Sequence, residues 1–277
     1  MKFTKMHGIG NDYVYMYGTG DSIADIPALA RRVSDRHFGV GSDGLILIDP
    51  SDRYDFRMRM YNADGTESAM CGNGSRCVGK YVYDKGYTGK TEIDLETGAG
   101  VRHLTLFPEN GKVKSVRVDM GTPELSPVRI PVDHAGDRVV DMPFYLGADV
   151  FRITCVSMGN PHAVMFVDDV DKIDLEGIGK VLECHPFFPQ RTNVEFIQVI
   201  NPGELRMRVW ERGTGETMAC GTGACASLVA GVLNGKCERK AVLHLLGGDL
   251  QVEWGADHHV YMTGAAETVF EGELYEL

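Results

Sequence analysis

Two cysteine-centred stretches of this sequence have the residue types needed for acid–base chemistry at carbon. Cys71 and Cys220 each follow a glutamate four positions earlier, and each begins a Cys-Gly-x-Gly motif. The two cysteines are 149 residues apart, and the same offset relates Gly10-Asn11 to Gly159-Asn160. A thiol can donate a proton and a thiolate can remove one. The repeat predicts two copies of one unit, facing each other, each contributing one cysteine.

Each cysteine is predicted to lie at the amino end of a helix. Residues 76–85 have helical spacing and Gly86 is placed to end that helix, whereas residues 224–233 form a small, uniformly apolar helix that must be buried. Unpaired N–H groups and the helix dipole stabilise a thiolate there, so we expect the thiol pKa to fall from about 8.5 toward roughly 3.5–7.5. The same N–H groups favour a carboxylate ligand.

The remaining chain is rich in predicted strands. Residues 3–17 form two strands interrupted by the turn Gly8 to Asp12, and residues 45–48 and 56–61 form two more. Residues 26–38 have the spacing of an amphipathic helix that extends to Phe38. Short alternating segments fill residues 91–155, and further strands follow residue 241. These patterns predict a mixed α/β (α+β) protein.

Composition limits the classes of partner. The chain has 277 residues, 43% hydrophobic content and a formal charge of −11, which argues against nucleic-acid or anionic-membrane binding and favours a small-molecule substrate. Neither an apolar leader segment nor a membrane-length apolar run is found, so the predicted location is cytoplasmic. The seven cysteines include no CxxC pair, so we predict free thiols and no metal site.

Two such thiols on opposite faces of one carbon could invert a stereocentre without a cofactor, one as thiolate base and the other as thiol acid. Alternatives remain open at this point. Cys220 with His162 could form a nucleophile–base pair, but that leaves the matched Cys71 motif unexplained. A redox pair would favour CxxC, a phosphate-binding loop would need Gly-Lys-Ser/Thr, and a non-catalytic amino-acid-binding module would need neither thiol.

The residues around both cysteines, with Met6 to Asp12 and Met158 to His162, resemble the diaminopimelate epimerase family over essentially the whole chain. The resemblance implies a homodimeric epimerase, independent of PLP, that interconverts LL- and meso-diaminopimelate for lysine and peptidoglycan precursor synthesis. It also implies two pseudo-twofold-related domains, each a barrel-like mixed sheet around a central helix, with the active site in the cleft between them. We expect these domains at residues 1–119 with 267–277 and at residues 120–266.

The resemblance also implies roles for individual residues. Cys71 and Cys220 would exchange the roles of acid and base, with His162 and Glu211 tuning their protonation. Substrate contacts are expected from backbone N–H groups, amide side chains and charged groups after each motif: Asn11, Asn62, Gly72, Asn73, Asn160, Asn193, Glu211, Arg212, Gly221 and Thr222. The Arg212 guanidinium suits a distal carboxylate.

Proline racemases and the phenazine-pathway isomerase are the nearest enzymatic alternatives. Asn73 stands at a position where proline racemases have a histidine. The phenazine isomerase does not use the cysteine pair as its acid and base. One departure within the resembled family is Gly44, where some members have Gln, so any side-chain contact from that position is lost.

Overall fold

The computed structural model describes residues 1–147 and 149–275. The chain divides into two compact units, the first comprising Met1–Asp119 with Thr263–Leu277 and the second Met120–Met262. Within residues 1–147 and 149–275, no helix is long and apolar enough to cross a membrane. No cluster of three or more His, Cys, Asp or Glu side chains in those residues could hold a metal ion.

The first unit begins with a mixed sheet and two helices. Its elements are β1 (Lys2–Gly8), β2 (Asn11–Tyr17), α1 (Ile26–Ser34), β3 (Gly44–Pro50), β4 (Phe56–Asn62), β5 (Glu67–Ser68), α2 (Gly72–Asp84), β6 (Glu92–Thr97), β7 (Gly100–Glu109) and β8 (Lys112–Asp119). The pair β1/β2 is antiparallel, β2/β3 parallel, β3/β4 antiparallel and β4/β6 parallel. In each parallel pair, the segment that connects the two strands contains a helix, as a crossover connection requires.

The second unit repeats this order. Its elements are β9 (Met142–Leu146), β10 (Asp149–Ser157), β11 (Pro161–Phe166), α3 (Leu175–Glu183), β12 (Asn193–Asn201), β13 (Glu204–Glu211), β14 (Gly215–Glu216), α4 (Gly221–Leu233), β15 (Lys240–Leu245) and β16 (Gly248–Trp254). The next strand, β17 (Val260–Ala265), spans the boundary at residue 263, and β18 (Glu267–Glu273) belongs to the first unit and pairs with β1. The orientations of β10/β11, β11/β12, β12/β13 and β13/β15 match those of the first unit.

The offset of 149 residues relates whole elements. Shifting the first and last residues of α1 by that number gives those of α3, and the same shift relates α2 to α4. It also carries the strand pair Tyr13↔Gly44 onto His162↔Asn193. The internal repeat that the cysteine motifs predicted is therefore present in strand register as well as in sequence.

The strands of each unit pack around one central helix. Helix α2 contacts β1, β2, β7 and β8, and α4 contacts β10, β11, β12, β15 and β16. Every residue from Gly72 to Val82 is buried, and α4 is buried along nearly its full length. Small residues make this possible: a Cβ added at Gly79 would lie 2.7 Å from a methyl carbon of Leu106. The mixed α/β class and the central helices are confirmed.

Helix α1 is shorter than the sequence predicted. It ends at Ser34, and the Asp35 carboxylate accepts hydrogen bonds from the N–H groups of His37 and Phe38 in the turn that follows. Asp35 thereby offers the backbone an alternative to another helical turn. The expectation that the helix extends to Phe38 is wrong, and the residue is 91% exposed.

Candidate active site

Cys71 is the N-cap residue of α2, and its sulfur accepts a hydrogen bond from the Gly74 N–H at 3.3 Å. Its thiol donates to the side-chain oxygen of Asn11 at 3.4 Å, and the Asn73 amide donates to that same oxygen. Asn11 is held in turn, because its amide donates to Asp43 at 2.8 Å. A neutral amide oxygen and a backbone N–H therefore lie against the thiol of the first unit.

Cys220 has the same position at the start of α4. Its sulfur accepts from the Gly223 N–H at 3.4 Å and lies 3.5 Å from the Thr222 hydroxyl. The side chain is only 4% exposed, whereas Cys71 is half-buried. The carboxylates of Glu211 and Glu195 both lie close enough to Cys220 to affect its titration. The second unit therefore surrounds its thiol with ionisable groups.

The expected lowering of the thiol pKa is wrong for Cys220. Burial raises the pKa of the Cys220 thiol well above its ordinary value, and the negative charges of Glu211 and Glu195 raise it further. Hydrogen bonds from Thr222 and the Gly223 N–H oppose this shift without overcoming it. Sequence spacing revealed the helix terminus but not the depth of burial or the nearby carboxylates.

His162 and Asn160 connect β11 to the start of α4. The two ring nitrogens of His162 are both engaged, Nδ1 with Glu195 Oε1 at 2.6 Å and Nε2 with the Asn160 side-chain oxygen at 3.1 Å. The Asn160 amide donates to the Thr222 hydroxyl at 3.3 Å. Since neither nitrogen of the ring faces the thiol directly, the arrangement does not favour a Cys220–His162 nucleophile pair.

Glu211 lies at the end of β13 and accepts a hydrogen bond from the Thr217 hydroxyl. Burial raises the pKa of the Glu211 carboxyl, while its hydrogen bonds with Thr217 and Cys220 act in the opposite direction. A carboxylate at this position can therefore exchange hydrogen-bonding roles with the thiol as the thiol gains or loses its proton.

The other residues predicted to bind substrate make hydrogen bonds within the protein. The Asn193 amide donates to the Pro161 carbonyl at 2.8 Å, and its oxygen accepts from the Arg212 N–H at 2.9 Å. The exposed Arg212 guanidinium donates to the Gln190 carbonyl at 3.0 Å. The Asn62 amide donates to the Thr66 hydroxyl at 3.0 Å. Gly72 and Gly221 are buried first residues of α2 and α4.

Gly44 faces a backbone that leaves no room for a side chain. An added Cβ would collide with the carbonyl oxygen of Tyr61 and would lie 2.8 Å from the Tyr13 ring. A larger residue at this position therefore requires a different local strand path. The loss of a side-chain contact from position 44, expected from the sequence, follows from this geometry.

Sequence reasoning missed Glu195, Asp43 and Thr217. Glu195 is the one charged residue of the apolar run Val194 to Ile197, and a lone charge in a buried strand is the signal that could have identified it. Asp43 precedes β3 and fixes Asn11, so its role depends on a contact between residues distant in sequence.

Comparisons with known proteins identify relatives over almost the full chain. The family model described as diaminopimelate epimerase matches residues 3–126 and 154–269. Proteins named diaminopimelate epimerase from Acetivibrio thermocellus and Methanococcus maripaludis are 57% and 55% identical, each over 99% of this chain and 98% and 99% of their own lengths. These matches confirm the resemblance that the cysteine motifs indicated.

Two solved structures share the fold at low sequence identity. A phenazine biosynthesis protein of the PhzF family from Bacillus anthracis has a TM-score of 0.74 and 18% identity, with 100% of this chain and 99% of that chain covered. A hydroxyproline epimerase from Agrobacterium vitis has a TM-score of 0.69 and 18% identity, with 98% and 91% covered. At this identity the likeness concerns the fold alone.

Proposed function

This chain belongs to the diaminopimelate epimerase family, and we propose that it interconverts LL- and meso-diaminopimelate in lysine and peptidoglycan precursor synthesis. The proposed chemistry uses only side chains and backbone of the protein, with no PLP. One thiolate removes the proton from the reacting α-carbon, and the second thiol donates a proton to the opposite face. The proposed domains, residues 1–119 with 267–277 and residues 120–266, each provide one of these thiols.

The observation that carries this proposal is the matched capping of the two central helices. Cys71 and Cys220 are the N-cap residues of α2 and α4, and each sulfur accepts the N–H of the glycine three positions later. A structural cysteine requires no such duplication, whereas a two-base reaction requires two comparable thiols. The remaining cysteines do not occupy a matched pair of helix caps.

The proton balance of one turnover is simple. With Cys220 as thiolate and Cys71 as thiol, Cys220 takes the α-proton and Cys71 protonates the other face of the carbon. Cys220 then carries the proton and Cys71 is the thiolate, which is the starting state for the reverse reaction. The raised pKa of Cys220, caused first by burial, makes its thiolate a strong base but a minor species near neutral pH.

The substrate carboxylate at the reacting centre is proposed to bind the amino ends of α2 and α4. First-turn N–H groups have no acceptor within their own helix, and the helix dipole favours negative charge. The same donors would stabilise charge that develops when the α-proton leaves. Asn11, Asn62, Asn160 and Asn193 are proposed to bind the unreacting L-centre, and Arg212 its carboxylate.

The direct test is to incubate the reduced protein with LL-diaminopimelate in D2O without added PLP. The expected result is meso product carrying deuterium at the inverted carbon, with little label in substrate recovered early. Two distinct thiols give this pattern because the donor thiol has exchanged its proton with solvent while the acceptor thiol has not. Inversion of proline or hydroxyproline without activity on diaminopimelate would contradict the proposed substrate.

Single substitutions test the assignment of the thiols. Cys71→Ala and Cys220→Ala should each reduce epimerisation to near background while changing substrate binding only modestly. Cys184→Ala is the matched control, because that cysteine is exposed and lies outside both helix caps. Full activity in either N-cap variant would contradict the two-thiol mechanism, and a similar loss in Cys184→Ala would indicate a general effect of removing cysteine.

We also propose that the protein is cytoplasmic and forms a homodimer. Its seven cysteines are free thiols, a state that a reducing compartment maintains. The family resemblance supports the dimer, which light scattering of the purified protein tests directly. A monomer at micromolar concentration with full activity would contradict that part of the proposal.

A further inference from the structure

The internal repeat brings residues of different chemistry to equivalent positions around the two thiols. With the offset of 149 residues, Tyr13 corresponds to His162, Ile46 to Glu195 and Asn62 to Glu211. Strand register supports these pairs, since Ile46 lies opposite Met60 and Glu195 lies opposite Val209, which is again a shift of 149 on both strands. In each pair the acidic or imidazole side chain belongs to the second unit.

The equivalence of Ile46 and Glu195 extends to the glycines beside the thiols. A Cβ added at Gly74 would lie 2.7 Å from the Ile46 methyl carbon, and one added at Gly223 would lie 2.7 Å from Glu195 Oε1. Thus the same site on the strand supports an apolar contact in one unit and a carboxylate in the other. Packing alone does not require the carboxylate.

Glu195 is held in an environment that is costly for a charge. Its side chain and that of His162 are both 0% exposed. Oε1 is 2.6 Å from His162 Nδ1, while the buried Oε2 has no hydrogen-bond partner within the described residues. A buried carboxylate ion needs a compensating charge, and the His162 ring is the group in position to provide one.

The contacts define a hydrogen-bonded chain from Glu195 to Cys220. Its successive members are Glu195, His162, Asn160, Thr222 and Cys220, with separations of 2.6, 3.1, 3.3 and 3.5 Å. Oxygen atoms lie against both ring nitrogens, so an imidazole with hydrogen on both nitrogens would satisfy both contacts. The Asn160 amide donates to the Thr222 hydroxyl, and in this arrangement the hydroxyl hydrogen would be available to donate to the sulfur.

We propose that Glu195 is a positioning residue that keeps His162 protonated on both ring nitrogens and so directs this chain of donors toward Cys220. The inference deepens the proposed function, since a thiolate at Cys220 is stabilised by the donor that ends the chain. Glu195 touches neither the substrate nor the thiol hydrogen in this role. It acts through the charge and orientation of His162.

Loss of the carboxylate charge would reverse the donor and acceptor roles along the hydrogen-bonded chain. Glu195→Gln retains an oxygen that accepts from Nδ1–H, but the imidazole then loses its counter-charge and its Nε2 becomes an acceptor. Asn160 would turn its amide toward Nε2 and its oxygen toward Thr222, whose hydroxyl would donate to Asn160 instead of the sulfur. The thiolate of Cys220 would lose one donor.

The direction in which loss of Glu195 changes the pKa of Cys220 distinguishes two roles for Glu195, and other titratable groups face the same hydrogen-bonded chain. Glu211 on β13 and Cys155 on β10 also face it, and burial followed by the charge of Glu195 raises the pKa of the Cys155 thiol. If Glu195 acted only as a bare negative charge, its removal would make the Cys220 thiolate easier to form. If it acts through His162, its removal makes that thiolate harder to form.

The first experiment measures the imidazole directly in the whole protein without substrate. Nitrogen-15 NMR of the His162 ring, assigned with His162→Gln, should show hydrogen on both nitrogens of the wild type from about pH 6 to 8. Glu195→Gln should show hydrogen on one nitrogen only. A neutral wild-type ring in this range would overturn the inference, and the outcome does not depend on which substrate the enzyme uses.

The second experiment measures the pH dependence of epimerisation in the direction that uses Cys220 as base. Glu195→Gln should lower kcat by about tenfold with little change in KM, and should move the acid limb upward by about one pH unit. Glu195→Ile, which introduces the residue of the first unit, should show at least the same shift. A downward shift or an unmoved limb would overturn the inference.

Glu204→Gln provides the matched control. Glu204 also accepts from a histidine of the second unit, since its Oε1 lies 2.8 Å from His244 Nε2, but this pair lies outside the chain that ends on Cys220. The control should retain the wild-type pH profile and the wild-type His162 spectrum. An equal shift in Glu204→Gln would assign the effect to net charge and contradict a role specific to Glu195.

Discussion

The two glycines that face the sulfurs allow a matched test of the second-unit site. Gly223→Ala and Gly74→Ala make the same change at the third residue of α4 and α2, so the gain in helix propensity, up to about 1 kcal/mol, cancels in the comparison. The difference that remains is what each new Cβ meets. At Gly223 it would lie 2.7 Å from Glu195 Oε1 and 3.2 Å from the Cys220 sulfur; at Gly74 the nearest atom is an Ile46 methyl carbon, with the sulfur at 3.7 Å.

Relief of the contact at Gly223 requires Glu195 Oε1 to move by roughly half an ångström, because carbon and oxygen atoms rarely approach within about 3.2 Å. The hydrogen bond to His162, now 2.6 Å, would then exceed the usual length for a charged pair. Hydrogen bonds to charged groups contribute about 1.5–3 kcal/mol, so kcat of Gly223→Ala should fall roughly 10- to 100-fold.

Both variants should lose stability by about 1–3 kcal/mol through overpacking. The assay therefore pairs urea unfolding with epimerisation kinetics in both directions. The fold decrease in kcat caused by Gly74→Ala should be less than about a tenth of that caused by Gly223→Ala, at a similar loss of stability. Equal losses of kcat in the two variants would refute the reasoning, because the contact with Glu195 exists only at Gly223.

Three further outcomes follow from other parts of the second unit and from the free thiols. Glu183→Gln should lower the urea midpoint by the equivalent of about 2–3 kcal/mol at unchanged m-value, because its buried carboxylate accepts from an indole and a backbone N–H; an unchanged midpoint would contradict this. The pKa of His244 is raised, first by its hydrogen bond to Asp249, so its stabilising effect is present below about pH 6.5 and is lost as pH rises through the raised pKa. His244→Gln should therefore cost stability at pH 6 and little at pH 9, and the reverse order would show that the sign is wrong. Limited iodoacetamide treatment should label the exposed Cys184 before Cys77, because burial raises the pKa of the Cys77 thiol to about 11; peptide mass spectrometry reporting the opposite order would contradict the assignment of burial.

The parts of the fold that sequence predicts best are those that local chemistry decides. The spacing predicted helices over residues 76–85 and 224–233, and in the structure these helices begin a turn earlier, at Gly72 and Gly221. Gly86, with φ of 78°, follows the end of α2 as the spacing indicated. The offset of 149 residues predicted a duplicated architecture because a repeated unit must repeat its turns as well as its core. The cysteine caps, which follow from these local features, were therefore accessible without coordinates.

The charge environment of the site depends on contacts between distant residues. Glu195 and His162 are adjacent only because β11 and β12 pair in parallel, and nothing local to either residue fixes that register. The helix N-terminus argued for a lowered pKa at Cys220, but burial and two carboxylates reverse the direction. A sequence shows which groups can titrate, whereas their equilibrium depends on how much water and which charges surround them.

The pairing of β18 with β1 has a consequence for how the chain matures during synthesis. Lys2 lies opposite Glu273, and the first residue of the chain exchanges backbone hydrogen bonds with Leu274. Closing so long a loop costs about 5 kcal/mol in chain entropy, less once the intervening residues are compact. The second unit, residues Met120–Met262, is continuous in sequence, whereas the sheet of the first unit cannot be completed until a strand translated after the second unit is available. The nascent first unit therefore presents an unpaired β1 edge for as long as translation of the second unit lasts, which makes that interval the period when chaperones protect it or aggregation begins.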